Sequence, residues 1–398
     1  MGTVPERVPE KGYAMRVLFA TWAWPSHYFP MVPLAWAMRA AGHDVQVAGQ
    51  PELLPTMVRS GLPAAAVGRD FDALHRAMPA VRPAANGLSL VGEVADAMVD
   101  GLVELTESWR PDLVVFDPLT YAAPVAARLA GVPAVRHLCG PDVGYLADRS
   151  GAGLLAPVLS RYGLSGVDLW GVRSVDPCPP SLQFSPAIAP SHRLPMRYVP
   201  YDGLSHIPPW VLRPAGRGRI CLTWGTSGTR LVGDDGFMPA TLVRACARLA
   251  AERDSELVLA VVAGQRELLG ELPDGVTVAE SVPLGALLPG CDVLVHQGDP
   301  GTVLTALSCG LPQLVVPQLP DQMVNAGNLA GTGAGSTLTV AEVDEPAAYD
   351  AVRAVLDEPA RRAAAGRLRE EMLGLPAPAA LVGQLCALVD GAQPLDGA

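Results

Sequence analysis

The sequence predicts an α/β protein of two successive doubly wound parallel-sheet units facing a central cleft. Three observations predict this class. Short apolar runs alternate with stretches of helical periodicity through the first half, a proline-rich stretch breaks the pattern, and a second alternating block follows. The length of 398 residues agrees, because domains of about 100 to 200 residues imply two or three of them.

The N-terminal segment has no apolar run long enough for a signal peptide, so residues 1–14 are expected to be a loose leader. Strands are then expected near 16–21, 44–48, 112–116 and 134–138, with helices between them. The helix over 31–41 shows the pattern, since Val32, Leu34, Ala35 and Met38 give it one apolar face. Between 176 and 219 the chain carries ten prolines and little helical periodicity, which places a domain boundary there. Strands resume near 220–223, 256–262, 276–279, 293–295 and 313–316, with helices such as 239–252 and 303–308 in the gaps. The last helical stretches, 359–373 and 379–388, are expected to cover the second sheet. The units are therefore drawn as 15–205 and 219–398, joined by a linker at 206–218.

Composition excludes several function classes. The longest apolar segments, such as 257–263, stop far short of the roughly 18 residues that a membrane span needs. The net charge is −11 and the only lysine is Lys11, so nucleic acid is not an expected partner. An anionic ligand would have to be held by backbone amides, helix N-termini, His and Arg. Seven scattered cysteines without a CxxC pair suggest neither a metal site nor a disulfide framework, and a reducing cytoplasm is the simplest setting.

The second block ends one strand at Val295 and follows it with "HQGDPGT", then a helix to Ser308 that Asp299 could N-cap with Pro300 at N1. A strand, a glycine turn and a helix start present unpaired N–H groups and a partial positive charge, which suit a phosphate or pyrophosphate. His296 and the Thr302 hydroxyl could add hydrogen bonds; a tight turn around an internally bonded histidine is the competing reading.

This stretch resembles the donor-binding motif of family 1 nucleotide-sugar glycosyltransferases of the GT-B fold, His-x-Gly-Gly-x-Gly-Thr, then Gly-x-Pro, then Asp-Gln with Asn-Ala. "HQGDPGT", "GLPQLVVP" and "DQMVNA" match in order and spacing. The likeness extends to "CLTWGTSG", "ESVPLGALLPGCDVLVH", "SHYFPMVPLAWAMRAAGHDV" and "RPDLVVFDPLTYAAPVAA", nearly the whole chain. "DPCPPSLQ" and "MRYVPYDG" are similar to the actinobacterial subgroup that attaches TDP-activated deoxysugars to polyketide and related antibiotics. One departure is Asp299, which stands where the motif has its second glycine and is better placed as a helix cap than as a phosphate ligand.

The resemblance implies two Rossmann-like domains, the first for acceptor and the second for donor. It implies that His296, Gly298 and the amides around Gly301 and Thr302 hold the pyrophosphate, with Gly225, Thr226 and Ser227 supplying a second loop. Backbone around Val282 and Pro283 would meet the base, and Asp321 and Gln322 would read sugar hydroxyls, with a helix N-cap pair as the alternative for these two. In the first unit no GxGxxG follows the first strand, which removes the best support for an NAD-dependent oxidoreductase. In its place stands His27, which matches the family's general base, and Asp117 matches the carboxylate that orients it; a cap before Pro118 is the competing reading of Asp117. Asp112, at the opposite end of that strand, is not expected to take part.

The chemistry needs such a pair. A hydroxyl that displaces a nucleoside diphosphate must lose its proton as it attacks, a histidine near neutrality suits that task, and the imidazolium needs a carboxylate on its other nitrogen. Inversion at the anomeric carbon is implied by the family. Trp22, Trp24, Tyr28 and Phe29 beside His27 could line a flat acceptor pocket or pack the core, and 70–86 and 138–170 are further candidates for acceptor loops. No DxD motif stands out as a metal site, and the adjacent acids of "GDDG" lie in a loop, so no metal is expected, and TDP-sugar is a co-substrate with no further cofactor. The expected activity is hexosyl transfer to a small-molecule aglycone, through oxygen or carbon. Open partner expectations are a homodimer and a cytochrome P-450-like helper. The alternative function is a non-catalytic nucleotide-sugar-binding helper on the same fold, kept open by Asp299.

Overall fold

The computed structural model describes residues 14–70, 87–142, 149–183, 192–203, 205–213, 216–225 and 237–391. Thr226, Ser227 and the acids Asp234 and Asp235 lie outside these residues, as do the leader to residue 13 and the parts 71–86 and 143–148 of the expected acceptor loops.

The first unit runs β1 (Arg16–Ala20), α1 (Pro25–Tyr28), α2 (Val32–Ala40), β2 (Asp44–Gly49), α3 (Leu54–Arg59), β3 (Ala64–Ala66), α4 (Gly87–Trp109), β4 (Leu113–Phe116), α5 (Ala122–Ala130), β5 (Ala134–His137), α6 (Ala156–Arg161), β6 (Arg173–Asp176) and β7 (Arg193–Pro195). Its seven strands are parallel in the order β3-β2-β1-β4-β5-β6-β7. Because strand side chains alternate, Leu18, Ala20, Val114 and Phe116 pack under α4 and α5, while Val17, Phe19, Val115 and Val135 pack under α2.

The second unit runs β8 (Arg219–Thr223), α7 (Ala240–Glu252), β9 (Glu256–Val261), β10 (Val276–Glu280), α8 (Leu284–Leu287), β11 (Val293–His296), α9 (Pro300–Ser308), β12 (Gln313–Val315), α10 (Pro320–Gly331), β13 (Gly335–Thr337), α11 (Glu345–Asp357), α12 (Pro359–Gly374) and α13 (Pro378–Asp390). Six parallel strands are ordered β10-β9-β8-β11-β12-β13. Ile220, Leu222, Val293 and Val295 face α7 and α11.

Every strand expected from the sequence is present, and β3, β6, β7 and β13 are additional. They are short, and "AAA" or "GST" offers no apolar run to read. α12 covers the second unit as expected, with Ala364, Leu368 and Met372 against α9. α13 does not: Leu381 and Leu385 are buried against α2 of the first sheet. Cys386 of α13 also reaches His43, at the end of the α2–β2 turn, with Sγ 3.5 Å from Nε2. An amphipathic stripe shows that a helix must be covered, not which sheet covers it. Among the described residues no single helix is long and apolar enough to cross a membrane.

The units meet at the carboxyl ends of their strands. Gly140, after β5, lies so near the start of α9 that a Cβ there would sit 2.4 Å from Cβ of Pro300. Tyr198, after β7, donates its hydroxyl to the Gly301 carbonyl at 3.2 Å.

Candidate active site

In each sheet the chain order reverses between two adjacent strands, β1/β4 and β8/β11. The crevice outside the carboxyl ends at such a switch point is where open α/β sheets bind ligands. His27, Asp117, Gly225 and the turn from His296 to Thr302 sit at the ends of these four strands, while Val282 and Pro283 follow β10 and Asp321 and Gln322 follow β12.

His27 follows β1 on α1, which starts with Pro25 at its first turn. Asp117 follows β4 directly and is fully buried. Nδ1 of His27 lies 3.0 Å from Oδ1 of Asp117. Oδ1 also accepts the Leu119 amide at 3.0 Å, and Oδ2 accepts the Thr120 hydroxyl. A carboxylate that receives these donors takes the Nδ1–H of a neutral imidazole, which leaves Nε2 with its lone pair. The Trp22 ring meets the imidazole edge-on, with centroids 5.4 Å apart. Trp22 itself stacks on Trp24 at 5.0 Å.

Across the cleft, the turn after β8 holds Gly225, whose φ of +58° and close neighbours require a glycine. A Cβ would lie 2.3 Å from Nε2 of Gln297 and 2.7 Å from Oδ2 of Asp299. The turn after β11 departs from expectation at His296. Its Nδ1 accepts the Gly298 amide at 3.1 Å, so Nε2 carries the proton and donates to Oε1 of Gln313 at 2.9 Å. Burial lowers its pKa to about 4, against the opposing Gln313 bond. The ring has no donor left for a phosphate, and the Gly298 amide is equally committed; histidine and glycine hold the turn from behind. Gly298, at φ +102°, also accepts Asn325 Nδ2 at 2.9 Å through its carbonyl.

Asp299 occupies the N-cap position of α9, as expected, but its side chain makes no cap bond. Instead Oδ2 accepts Gln297 Nε2 at 2.7 Å and Oδ1 accepts Gln322 Nε2 at 3.1 Å. Pro300 has no N–H, so Gly301 and Thr302 present the first-turn amides that lack a partner within the helix. Gln322 is fully buried, and Oε1 accepts the amides of Gln318 and Leu319 at 2.9 and 3.1 Å as part of a capping box. The capping alternative therefore holds for the Gln322 oxygen in this geometry, with Nε2 donating to Asp299. Its neighbour Asp321 is open to solvent, yet the protein packed around it raises its carboxyl pKa. The amides of Asp321 and Gln322 oppose that rise.

A cavity of about 420 Å³ lies between the two units. Gly225, Val282, Pro283, Asp299, Gly301 and Thr302 line it. The first unit supplies Ser26 and Phe29, the residues on either side of the His27–Tyr28 pair. The Val282–Pro283 stretch, expected to meet the base, is entered through Ser281, a non-glycine residue at φ +54°.

The expected aromatic acceptor wall is corrected. Tyr28 is wholly buried, its hydroxyl 2.6 Å from Oγ of Ser60, in the core that faces α2. Trp22 and Trp24 are buried in the opposite core, where Trp22 backs the His27 ring and Trp24 stacks on Trp22. Only Phe29 reaches the cavity, packed edge-on to Tyr201 at 5.3 Å. Sequence reasoning also passed over Tyr198, Tyr201, Asp202 and Thr305, which line the cavity. Three of them lie in "MRYVPYDG", a signal used above only for subgroup.

Two doubly wound units whose switch points share one cleft, with a helix start on one wall and a His–Asp pair on the other, are the architecture of GT-B nucleotide-sugar transferases. The C-terminal domain of the erythromycin biosynthesis protein CIII-like family matches residues 244–388, and its N-terminal domain matches 36–93 and 86–225. The chain is 38% identical to 10-deoxymethynolide desosaminyltransferase of Streptomyces venezuelae, over 93% of this chain and 96% of that one. Among solved structures it is similar to glycosyltransferase VinC in complex with DTDP, with TM-score 0.78 and 31% identity over 94% and 100% of the two chains. It is also similar to spinosyn rhamnosyltransferase SpnG complexed with spinosyn aglycone, at 0.77 and 35% over 93% and 100%. The chain belongs to the erythromycin biosynthesis protein CIII-like family and is a glycosyltransferase, which bears out the expected membership, fold class and enzyme class. The non-catalytic alternative loses its support, since the Asp299 carboxylate is bonded to Gln297 and Gln322.

Proposed function

We propose that this chain transfers a deoxysugar from a TDP-sugar to a hydroxyl of a polyketide or macrolide aglycone, with inversion, and that His27 is the general base. The observation that carries the reading is the His27–Asp117 pair, 3.0 Å apart, beside a cavity whose far wall holds Gly225, Val282, Gly301 and Thr302. Asp117 holds the Nδ1 proton, so Nε2 accepts the acceptor's hydroxyl proton as that oxygen bonds the anomeric carbon. The bond from that carbon to the diphosphate oxygen breaks, and its electron pair leaves with TDP. Attack opposite an α-linked diphosphate inverts the centre. The Gly301 and Thr302 amides and the Thr302 hydroxyl stabilise the departing charge, with the dipole of α9 behind them.

TDP as donor nucleotide, and a polyketide acceptor, are supported by the named relatives. All seven cysteines are free, which suits a reducing compartment such as the cytoplasm. The test is product formation from TDP-deoxysugar and aglycone, followed by chromatography and mass spectrometry. His27→Ala is expected to lose turnover by about a hundredfold or more while still binding TDP. Near-normal turnover in that variant would remove His27 as the base.

A further inference from the structure

We propose that Thr120 is a positioning residue for this reaction: its hydroxyl fixes the Asp117 carboxylate and, through it, the Nδ1–H tautomer of His27. The inference deepens the reading above and rests on His27 being the base.

The three residues form a relay with a fixed direction. Asp117 is fully buried, and its Oδ1 is shared by His27 and the Leu119 amide. Among the described residues the Thr120 hydroxyl is the one donor to Oδ2. Thr120 is itself held by the main chain, its amide donating to the Asp117 carbonyl at 3.1 Å and its carbonyl accepting the Ala123 amide at 3.0 Å. The turn from Asp117 to Thr120 thus delivers the hydroxyl to the carboxylate without help from a distant element.

Other titratable groups near the carboxylate are silent at neutral pH. Burial pushes Tyr121 and Cys139 up to about 12 and His137 down to about 4. Asp321 faces His27 from the opposite wall. The orientation of Asp117 therefore depends on hydrogen bonds, and Thr120 supplies the bond that balances His27 across the carboxylate. Without it, Oδ2 would be a buried anionic oxygen lacking a donor, and the carboxylate would turn to find one, taking Oδ1 off the His27 axis.

The test compares Thr120→Val, nearly isosteric but without the donor, with Thr120→Ser, which keeps it. Turnover, donor KM, TDP affinity by calorimetry and the tautomer of the His27 ring by nitrogen-15 spectroscopy are measured on each. In Thr120→Val we expect kcat to fall by about tenfold, with donor KM and TDP affinity close to wild type. The His27 ring should move from Nδ1–H towards Nε2–H, and Thr120→Ser should restore both properties. Thr120→Ala repeats the comparison should valine not pack.

Wild-type turnover in Thr120→Val, a loss with the His27 tautomer unchanged, or a loss that serine does not restore would each overturn the proposal. His27→Ala separates the two levels. If it turns over normally, the base assignment fails; if it is inactive while Thr120→Val is fully active, only the role of Thr120 fails.

Discussion

Nδ1 of His27 stands 3.0 Å from Oδ1 of Asp117, a residue 90 positions further along the chain. Adjacent parallel strands β1 and β4 bring them together, with Ala20 in register with Phe116 at their ends. The pair is thus built on rigid elements. Asp117→Asn should keep the packing but offer an amide where a carboxylate held the proton. By analogy with hydrolase triads, kcat should drop by about a thousandfold or more. TDP affinity should hardly change; steady-state kinetics with calorimetry checks both.

Gly225→Ala should disable the donor wall. The new methyl would meet Nε2 of Gln297 at 2.3 Å and Oδ2 of Asp299 at 2.7 Å, on a backbone with φ +58°. The β8 loop must then move away from the start of α9. TDP affinity should fall by about tenfold or more, since left-handed strain and overpacking each cost about 1 kcal/mol or more. Calorimetry reads the change.

His296 should act on stability and its pH dependence. Burial lowers its pKa from 6.5 to about 4, and His137 follows the same path. Between those values the unfolded chain binds more protons than the folded one, so stability falls as pH is lowered from 6.5 to 4. Thermal denaturation should give a lower Tm at about pH 5 than at pH 7. His296→Gln should be less stable at neutral pH, with a shallower loss on acidification.

Tyr28 and Phe29 should separate cleanly. Tyr28→Phe removes a buried bond to Ser60 and is expected to cost about 1 kcal/mol of stability, with turnover unchanged. Phe29→Ala opens the cavity wall and removes the contact with Tyr201, so donor KM should rise. Urea denaturation and donor titration of the two variants distinguish them.

The fold class was legible because parallel strands buried on both faces read as apolar runs, and helices between them as periodic stretches. His27 and Asp117 were legible as polar residues at strand ends. His296 was placed on the right turn, but no local pattern shows that Gln313, 17 residues away, takes its Nε2. For Gln322 the sequence leaves sugar contact and helix capping open, and its carboxamide caps α10 and bonds Asp299. Tyr28 and Phe29 are adjacent and chemically alike, and only the turn of the short α1 sends one into the core and the other to the cleft. The return of α13 to the first sheet is a tertiary choice that its sequence pattern does not encode.

The most direct test of the account is calorimetric titration of wild type, Gly225→Ala and His27→Ala with TDP, and with UDP for comparison. The account predicts micromolar TDP binding to wild type, loss in Gly225→Ala and retention in His27→Ala. Absence of TDP binding to the wild-type protein, or binding indifferent to Gly225→Ala, would contradict the assignment of the interdomain cavity as the donor site.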